Sequence, residues 1–233
     1  MFDLGPLELE AIRLSLRVAV WAVLGSLPFG IFTAWLLARR DFPGKSILDG
    51  VVHLPLVLPP VVTGYALLLL LGRRGPLGEW LEQTLGIVVA FRWTGAAIAS
   101  AVMGFPLMVR AIRLSIEAVD RRLESAAHTL GANRAWVFAT ITLPLTAPGI
   151  LAGAILAYAK SLGEFGATIT FVSNIPGETR TIPNAIYTLT QVPGGEGAAL
   201  RLCVIAVALS MTALLASELL ARAVGRRIQP HVA

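Results

Sequence analysis

Three groups of polar residues in this chain have the types and spacing to do chemistry. Gly44, Lys45 and Ser46, in the stretch FPGKS, match the tail of a phosphate-cradling loop. That loop needs a further glycine five residues before Gly44, where Arg39 stands, and no strand pattern precedes it. Nucleotide binding by this chain is therefore set aside. Lys160 and Glu164 stand four apart, the spacing at which opposite charges on one helix pair. Near them lie Ser161, Thr168, Thr170, Ser173 and Asn174, a group of polar side chains set among small residues. A charge pair in apolar surroundings either serves function or clasps structure at the membrane edge, and both readings stand. The third group is an island, Asp120, Arg121, Arg122, Glu124, His128, Asn133 and Arg134. The histidines His53, His128 and His231 have no metal-ligand spacing. The apolar runs lack the His, Asp or Glu clusters that a membrane enzyme needs, so the chain is read as a non-enzyme that binds no cofactor itself.

These groups sit in a chain of 233 residues that is 56% hydrophobic and only 14% charged, with mean hydropathy +0.75. A soluble domain carries about 25% charged residues. A net charge of +5 would suit nucleic acid, but the basic residues flank apolar runs, which reads as membrane topology. Cys203 stands alone in an apolar run as a small hydrophobe. The opening MFDLGPLELE carries acids and no base, unlike a secretory leader, so the first apolar segment is expected to remain as an anchor.

About five segments are long enough to cross a hydrocarbon core of about 30 Å: 11–38, 47–72, 94–116, 143–161 and 200–221. The apolar piece 165–172 is too short to cross and is expected to be half-buried or re-entrant. The expectation is an all-α integral membrane protein. Arg39, Arg40 and Lys45 follow the first span, and Arg110, Arg113, Arg121, Arg122 and Arg134 follow the core of the third. Arg222, Arg226 and Arg227 follow the last, before a short tail over 222–233. With the N-terminus outside and the C-terminus inside, all of these are cytoplasmic, leaving Arg73, Arg74, Arg92 and Arg180 outside. Arg73 and Arg74 are the main dissent from this orientation. Pro55, Pro59 and Pro60 interrupt the second span, either as a packing kink or as a wall bent around a pathway.

The island then lies in the cytoplasm over 119–142. Val119, Leu123, Ala126, Ala127 and Leu130 recur at helical spacing with charges between them. Gly131 supplies a left-handed stop and Asn133 an N-cap for a second short helix. Trp136, Val137, Phe138 and Ile141 form a second apolar patch, and Pro144 suits the first turn of the next span. Two short helices at an angle, with apolar knuckles and a charged rim, have the make-up of a docking surface. The alternative from periodicity is a helix lying on anionic headgroups.

The stretch resembles the cytoplasmic coupling loop of ATP-binding-cassette importer permeases, whose pattern is E-A-A-x3-G-x9-I-x-L-P. Ala126, Ala127, Gly131, Ile141, Leu143 and Pro144 match it. Ser125 occupies the place of the motif's glutamate, and Glu124 stands one residue earlier. HLPLVLPPVVTGY (53–65), SLGEFGATITFVSNIPGETRTIP (161–183) and FPGKS (42–46) resemble the molybdate branch of that family, and sulfate and thiosulfate permeases share much of this texture. The likeness runs from about residue 10 to about 220.

The resemblance implies the type I importer transmembrane fold and a bacterial inner-membrane, multi-pass protein. It implies a homodimer of permease chains over two cytoplasmic ATPase subunits, which would use ATP and Mg. A periplasmic binding protein would deliver molybdate, with tungstate or sulfate as alternatives. Glu124, Ser125, Ala126, Ala127, Gly131, Ala132, Trp136, Ile141, Leu143 and Pro144 would couple to the ATPase. Ser161, Glu164, Thr168, Thr170, Pro59 and Pro60 are the candidates for pathway or gate, and 174–187 is either a landing surface for the binding protein or a solvated loop. A scaffold that docks a soluble partner without transport is the reading from a different class.

Overall fold

A computed structural model describes residues 4–228, and the regular structure there is entirely helical. Helix α1 (Pro6–Arg39) begins earlier than hydropathy alone indicates. Pro6 fits a first turn, and the Glu8 carboxylate accepts the Gly5 N–H at 2.6 Å, so the acidic opening is helix rather than flank.

The expected second span does not run as one helix. It breaks into α2 (Lys45–Val57) and α3 (Pro60–Leu71), whose axes bend by 115°. Two consecutive prolines remove two backbone donors, and each forces the residue before it into extended backbone. Leu58 and Pro59 accordingly have ψ of 144° and 133°. A short helix absent from the sequence reading, α4 (Pro76–Leu85), follows, started by Gly75-Pro76 and stopped by Gly86 at φ 66°.

Helix α5 (Trp93–Glu117) is the most enclosed of the long helices. The island folds as α6 (Arg121–Thr129) and α7 (Arg134–Val137). A π-helical turn (Phe138–Thr142) carries α7 directly into α8 (Leu143–Leu162). This corrects the expectation of two short helices held between spans, because α7, the π turn and α8 are one continuous rod over Arg134–Leu162. Pro144 therefore lies inside that rod. It cannot donate to the Thr140 carbonyl, and the Leu143 N–H reaches back five residues to Phe138.

Helix α9 (Gly166–Val172) buries Ala167, Thr168, Phe171 and Val172 inside protein. Helix α10 (Ile182–Thr190) is short, as expected, and buries Ile182, Asn184 and Ala185, while Ile175, Pro176 and Gly177 before it and Tyr187 on it are exposed. Helix α11 (Glu196–Ile228) closes the fold. Among the described residues, four helices are long and apolar enough to cross a membrane, and the bent α2–α3 pair supplies up to a fifth.

Two layers of core gather around α1 and α5, the first with α9 and the second with α2 and α8. One joins Val18, Val89, Ala96, Met103, Phe171 and Val172, with Leu71 packed against it. The other joins Ala34, Leu37, Val52, Met108, Ile112, Ile116 and Ala157. Close approach depends on small residues, as in membrane bundles generally. A Cβ on Gly153 would stand 2.9 Å from the Met108 carbonyl oxygen. Arg39 meets Val119 at one end of the bundle, whereas Leu71, Arg17 and Trp93 share the other. Arg73 and Arg74, directly after α3, thus fall at the end opposite the island, as the orientation requires. His231 lies outside the described residues, as do the side chains of Arg222, Arg226 and Arg227.

Candidate functional site

The hairpin formed by α6 and α7 is capped at each step. Asp120 Oδ1 accepts the Arg122 N–H at 2.9 Å, so the first helix starts after Asp120 rather than at Val119. Its end is a left-handed turn at Gly131, φ 87°, with the Ala132 N–H donating to the Ala127 carbonyl at 3.1 Å. Asn133 Oδ1 then accepts the Trp136 N–H at 2.8 Å, the cap read from sequence. Ser125, where the motif has glutamate, donates its hydroxyl to the Arg121 carbonyl.

Leu123, Leu130 and Trp136 are exposed by 49%, 89% and 63%, which is far more apolar surface than a self-contained loop would leave open. Ser125, Ala126 and Gly131 share this open side, Ala127 and Ala132 are half-buried, and Ile141 and Leu143 are half-buried on the rod. The expected second patch does not hold together. Val137 is buried, and Phe138 turns edge-on to Trp35 at 5.9 Å, leaving Trp136 alone on the outside.

Glu124 points inward. Its Oε1 pairs with Arg39 Nη2 at 3.1 Å and accepts the Thr142 hydroxyl at 2.7 Å. The same Arg39 nitrogen donates to the Val119 carbonyl at 3.1 Å. One carboxylate thus ties α6 to the end of α1 and to the π turn. Sequence reading missed this latch because Arg39 lies far away in the chain and belongs to a basic cluster explained by topology. A second tie was missed for the same reason: Arg113 on α5 bonds Asp49 on α2 at 3.1 Å and Glu117 at 2.8 Å. His53 Nδ1 lies 2.9 Å from the Asp49 carbonyl oxygen, a half-buried polar group in the second half of that helix. In FPGKS, Gly44 is a left-handed N-cap at φ 90°, and Lys45 Nζ bonds Asp41 at 2.9 Å. That hydrogen bond holds the Asp41 carboxyl below the usual carboxylate range.

The pathway candidates gather where α3, α8 and α9 meet. Lys160 Nζ and Glu164 Oε2 lie 2.7 Å apart, and Glu164 is 2% exposed. Its other oxygen accepts the Ala167 N–H at 3.0 Å, capping the first turn of α9. Gly166 lies against Pro60, where a Cβ would come within 2.7 Å of the proline ring. The hydroxyls of Ser161, Thr168 and Thr170 donate to carbonyls of their own helical turns, at Ala157, Phe165 and Gly166. Thr63, which sequence reading passed over, has a buried hydroxyl with no partner among the described residues.

A helical bundle broken at a proline pair, with a capped hairpin at one end, is the fold of an importer transmembrane domain. Solved structures agree. A bacterial alginate ABC transporter in complex with alginate pentasaccharide-bound periplasmic protein aligns at TM-score 0.74 and 17% identity, over 95% of this chain and 81% of that one. The MetNI methionine ABC transporter aligns at TM-score 0.67 and 13% identity, over 93% and 94%. The chain belongs to the family described as binding-protein-dependent transport system inner membrane component, which matches residues 26–230. It is 67% identical to the molybdenum transport system permease protein ModB of Escherichia coli (strain K12), over 92% of this chain and 94% of that protein. Identity to the Haemophilus influenzae protein of the same name is 58%, over 95% and 97%. Identity to the Escherichia coli sulfate permease CysT is 34%, over 97% and 81%.

Proposed function

We propose that this chain is the membrane-spanning permease subunit of an ATP-driven importer in the bacterial inner membrane, with molybdate as cargo and tungstate as a close substitute. The observation that carries the reading is the hairpin over 119–142, with exposed apolar knuckles, capped ends and a rigid join to α8. The higher identity to molybdenum permeases than to a sulfate permease supports the cargo. Two such chains pair around the pathway. Each hairpin seats in a groove of a separate ATPase subunit, which alone holds ATP and Mg. A periplasmic binding protein delivers the anion at the opposite end.

The mechanism follows from mechanical continuity. Movement of the ATPase displaces α6, and the path from α7 through the π turn to α8 contains no flexible linker. The Glu124 latch carries the same displacement to α1. Two packed arrangements of the bundle then interchange, inward-open and outward-open. Near the cargo route, the Lys160–Glu164 pair and the proline break give α3 and α9 fixed ends about which to move. Contacts with the anion are brief, since the binding protein supplies selection.

The test is ATP hydrolysis by the complex reconstituted in liposomes with its ATPase and binding protein. Stimulation by molybdate and tungstate but not sulfate is expected. Stimulation by sulfate alone would keep the coupling and overturn the cargo, and a tightly bound ATPase with no anion response would overturn transport itself.

A further inference from the structure

At the base of the hairpin, beside the Glu124 latch, lies a polar cavity of about 230 Å³. Arg39, Arg40, Arg121 and Arg134 line it, with Glu124 as the one carboxylate. Glu124 is already paired with Arg39 and bonded by Thr142, so the cavity keeps a surplus of positive charge. The Arg39 side chain is only 8% exposed, and its Nε is buried with no partner among the described residues. A buried guanidinium donor left unpaired is costly unless something accepts from it. Arg40 lies over the Trp35 ring at 5.2 Å, fixing a second guanidinium at the rim.

A second, apolar groove of about 370 Å³ shares Trp35, Arg134 and Phe138 with this cavity. It continues along α1 past Phe32 and Ile31 to Pro28. Those positions recur at helical spacing on one side of α1, and seven residues of helix reach about 10 Å into the bilayer from Trp35. Trp35 stands one turn before the end of α1, the interfacial depth that tryptophan favours. A basic cavity at the interface opening into an apolar groove within the membrane matches one molecule with both chemistries.

We propose that the cavity and groove form a site for one anionic phospholipid of the leaflet beside the hairpin. Its phosphate sits among the arginines, and an acyl chain lies along α1. The shared chemistry is a phosphate-type oxyanion, which a soluble anion would also offer; the groove favours the lipid. Basic pockets between membrane helices on the cytoplasmic side recognise anionic headgroups in this way.

The test uses the full chain co-purified with its ATPase in detergent, stripped of loose lipid and titrated with phosphatidylglycerol or phosphatidylcholine, with bound lipid counted by native mass spectrometry. Phosphatidylglycerol should be retained at one molecule per chain. The double variant Arg40→Gln/Arg134→Gln should weaken it about thirtyfold, corresponding to about 1 kcal/mol for each arginine near anionic lipid. Ile31→Trp, which fills the groove and keeps every arginine, should weaken it several-fold. Arg73→Gln/Arg74→Gln, at the far end of the bundle, should leave it unchanged. Equal retention by all variants, or an equal loss in the far-end pair, overturns the site. Loss in the arginine pair alone, with Ile31→Trp unaffected and millimolar inorganic phosphate displacing the lipid, overturns the lipid in favour of a soluble oxyanion.

Discussion

Replacing Glu124 with glutamine separates a docking role for this residue from a latching role. Glutamine keeps the size and the acceptor for the Thr142 hydroxyl but removes the charge facing Arg39. Breaking a fully buried ion pair from one side costs about 3–5 kcal/mol. Here Glu124 is 19% exposed, and Arg39 retains the Val119 carbonyl, so about 2 kcal/mol is the expected loss. The loss falls on the docking of the hairpin against α1, a local opening rather than global unfolding. About 2 kcal/mol corresponds to roughly thirtyfold faster amide exchange over residues 121–142, read by hydrogen-exchange mass spectrometry. The same change should raise ATP hydrolysis per molybdate moved, since displacement no longer reaches α1. Removing both partners, Arg39→Met with Glu124→Met, should cost less than the sum of the single changes by about 1–2 kcal/mol. Exchange altered by less than about threefold, or strictly additive effects, would refute the latch.

Further outcomes follow from the backbone. Gly131 has φ 87° with open space around it, so Gly131→Asp adds strain of roughly 1 kcal/mol without a clash. The chain should reach the membrane at normal levels while transport in liposomes fails. Gly64→Ala would set a Cβ 2.5 Å from the Ala167 carbonyl oxygen, whereas Gly25→Ala meets nothing within 4 Å. Thermal melting in detergent should drop for the first by an amount equivalent to about 1–3 kcal/mol and hold or rise for the second. Pro144→Ala restores a donor for the Thr140 carbonyl and lets the 138–142 turn tighten to α-helix, turning α7 by about 100° relative to α8. Spin-label distances between Trp136→Cys and Leu156→Cys should shift and coupling should fail. Unchanged distances would show that Pro144 does not hold the π turn.

Local signals were legible in the sequence where one residue decides a conformation. Gly131, Asn133 and the Lys160–Glu164 spacing each announced the geometry they adopt. The long spans were legible from apolar length, because a bilayer imposes that length on every crossing helix. The fate of the prolines was less so. Pro59 and Pro60 read equally as a packing kink or as a wall bent around a pathway, and they split the span into two helices; Pro144 stands in the first turn of α8 as its type predicts, but a π turn joins that helix to α7. Proline reports only a lost donor, and the neighbouring packing decides how the chain absorbs that loss. The latch at Glu124 and the Arg113–Asp49 tie were not legible, because pairing across the bundle depends on which helices are neighbours. The buried face of α10 escaped for a similar reason: Asn184, a residue type usually solvated, is buried there and donates to the backbone carbonyl of Thr179.

Helices α1 and α11 share an apolar cluster with α10 and are joined by one ion pair. Arg201 on α11 bonds both oxygens of Glu8, at 3.0 and 3.2 Å, across a sequence separation of 193 residues. At roughly 5–20 residues per second, the ribosome delivers Arg201 about 10–40 s after Glu8. Throughout that interval α1 carries a carboxylate that its finished environment buries at 4% exposure, and its partner has not yet been made. The contact between the two ends of the chain is therefore the last to form, after α1, α5 and α8 already have every residue of the core they share.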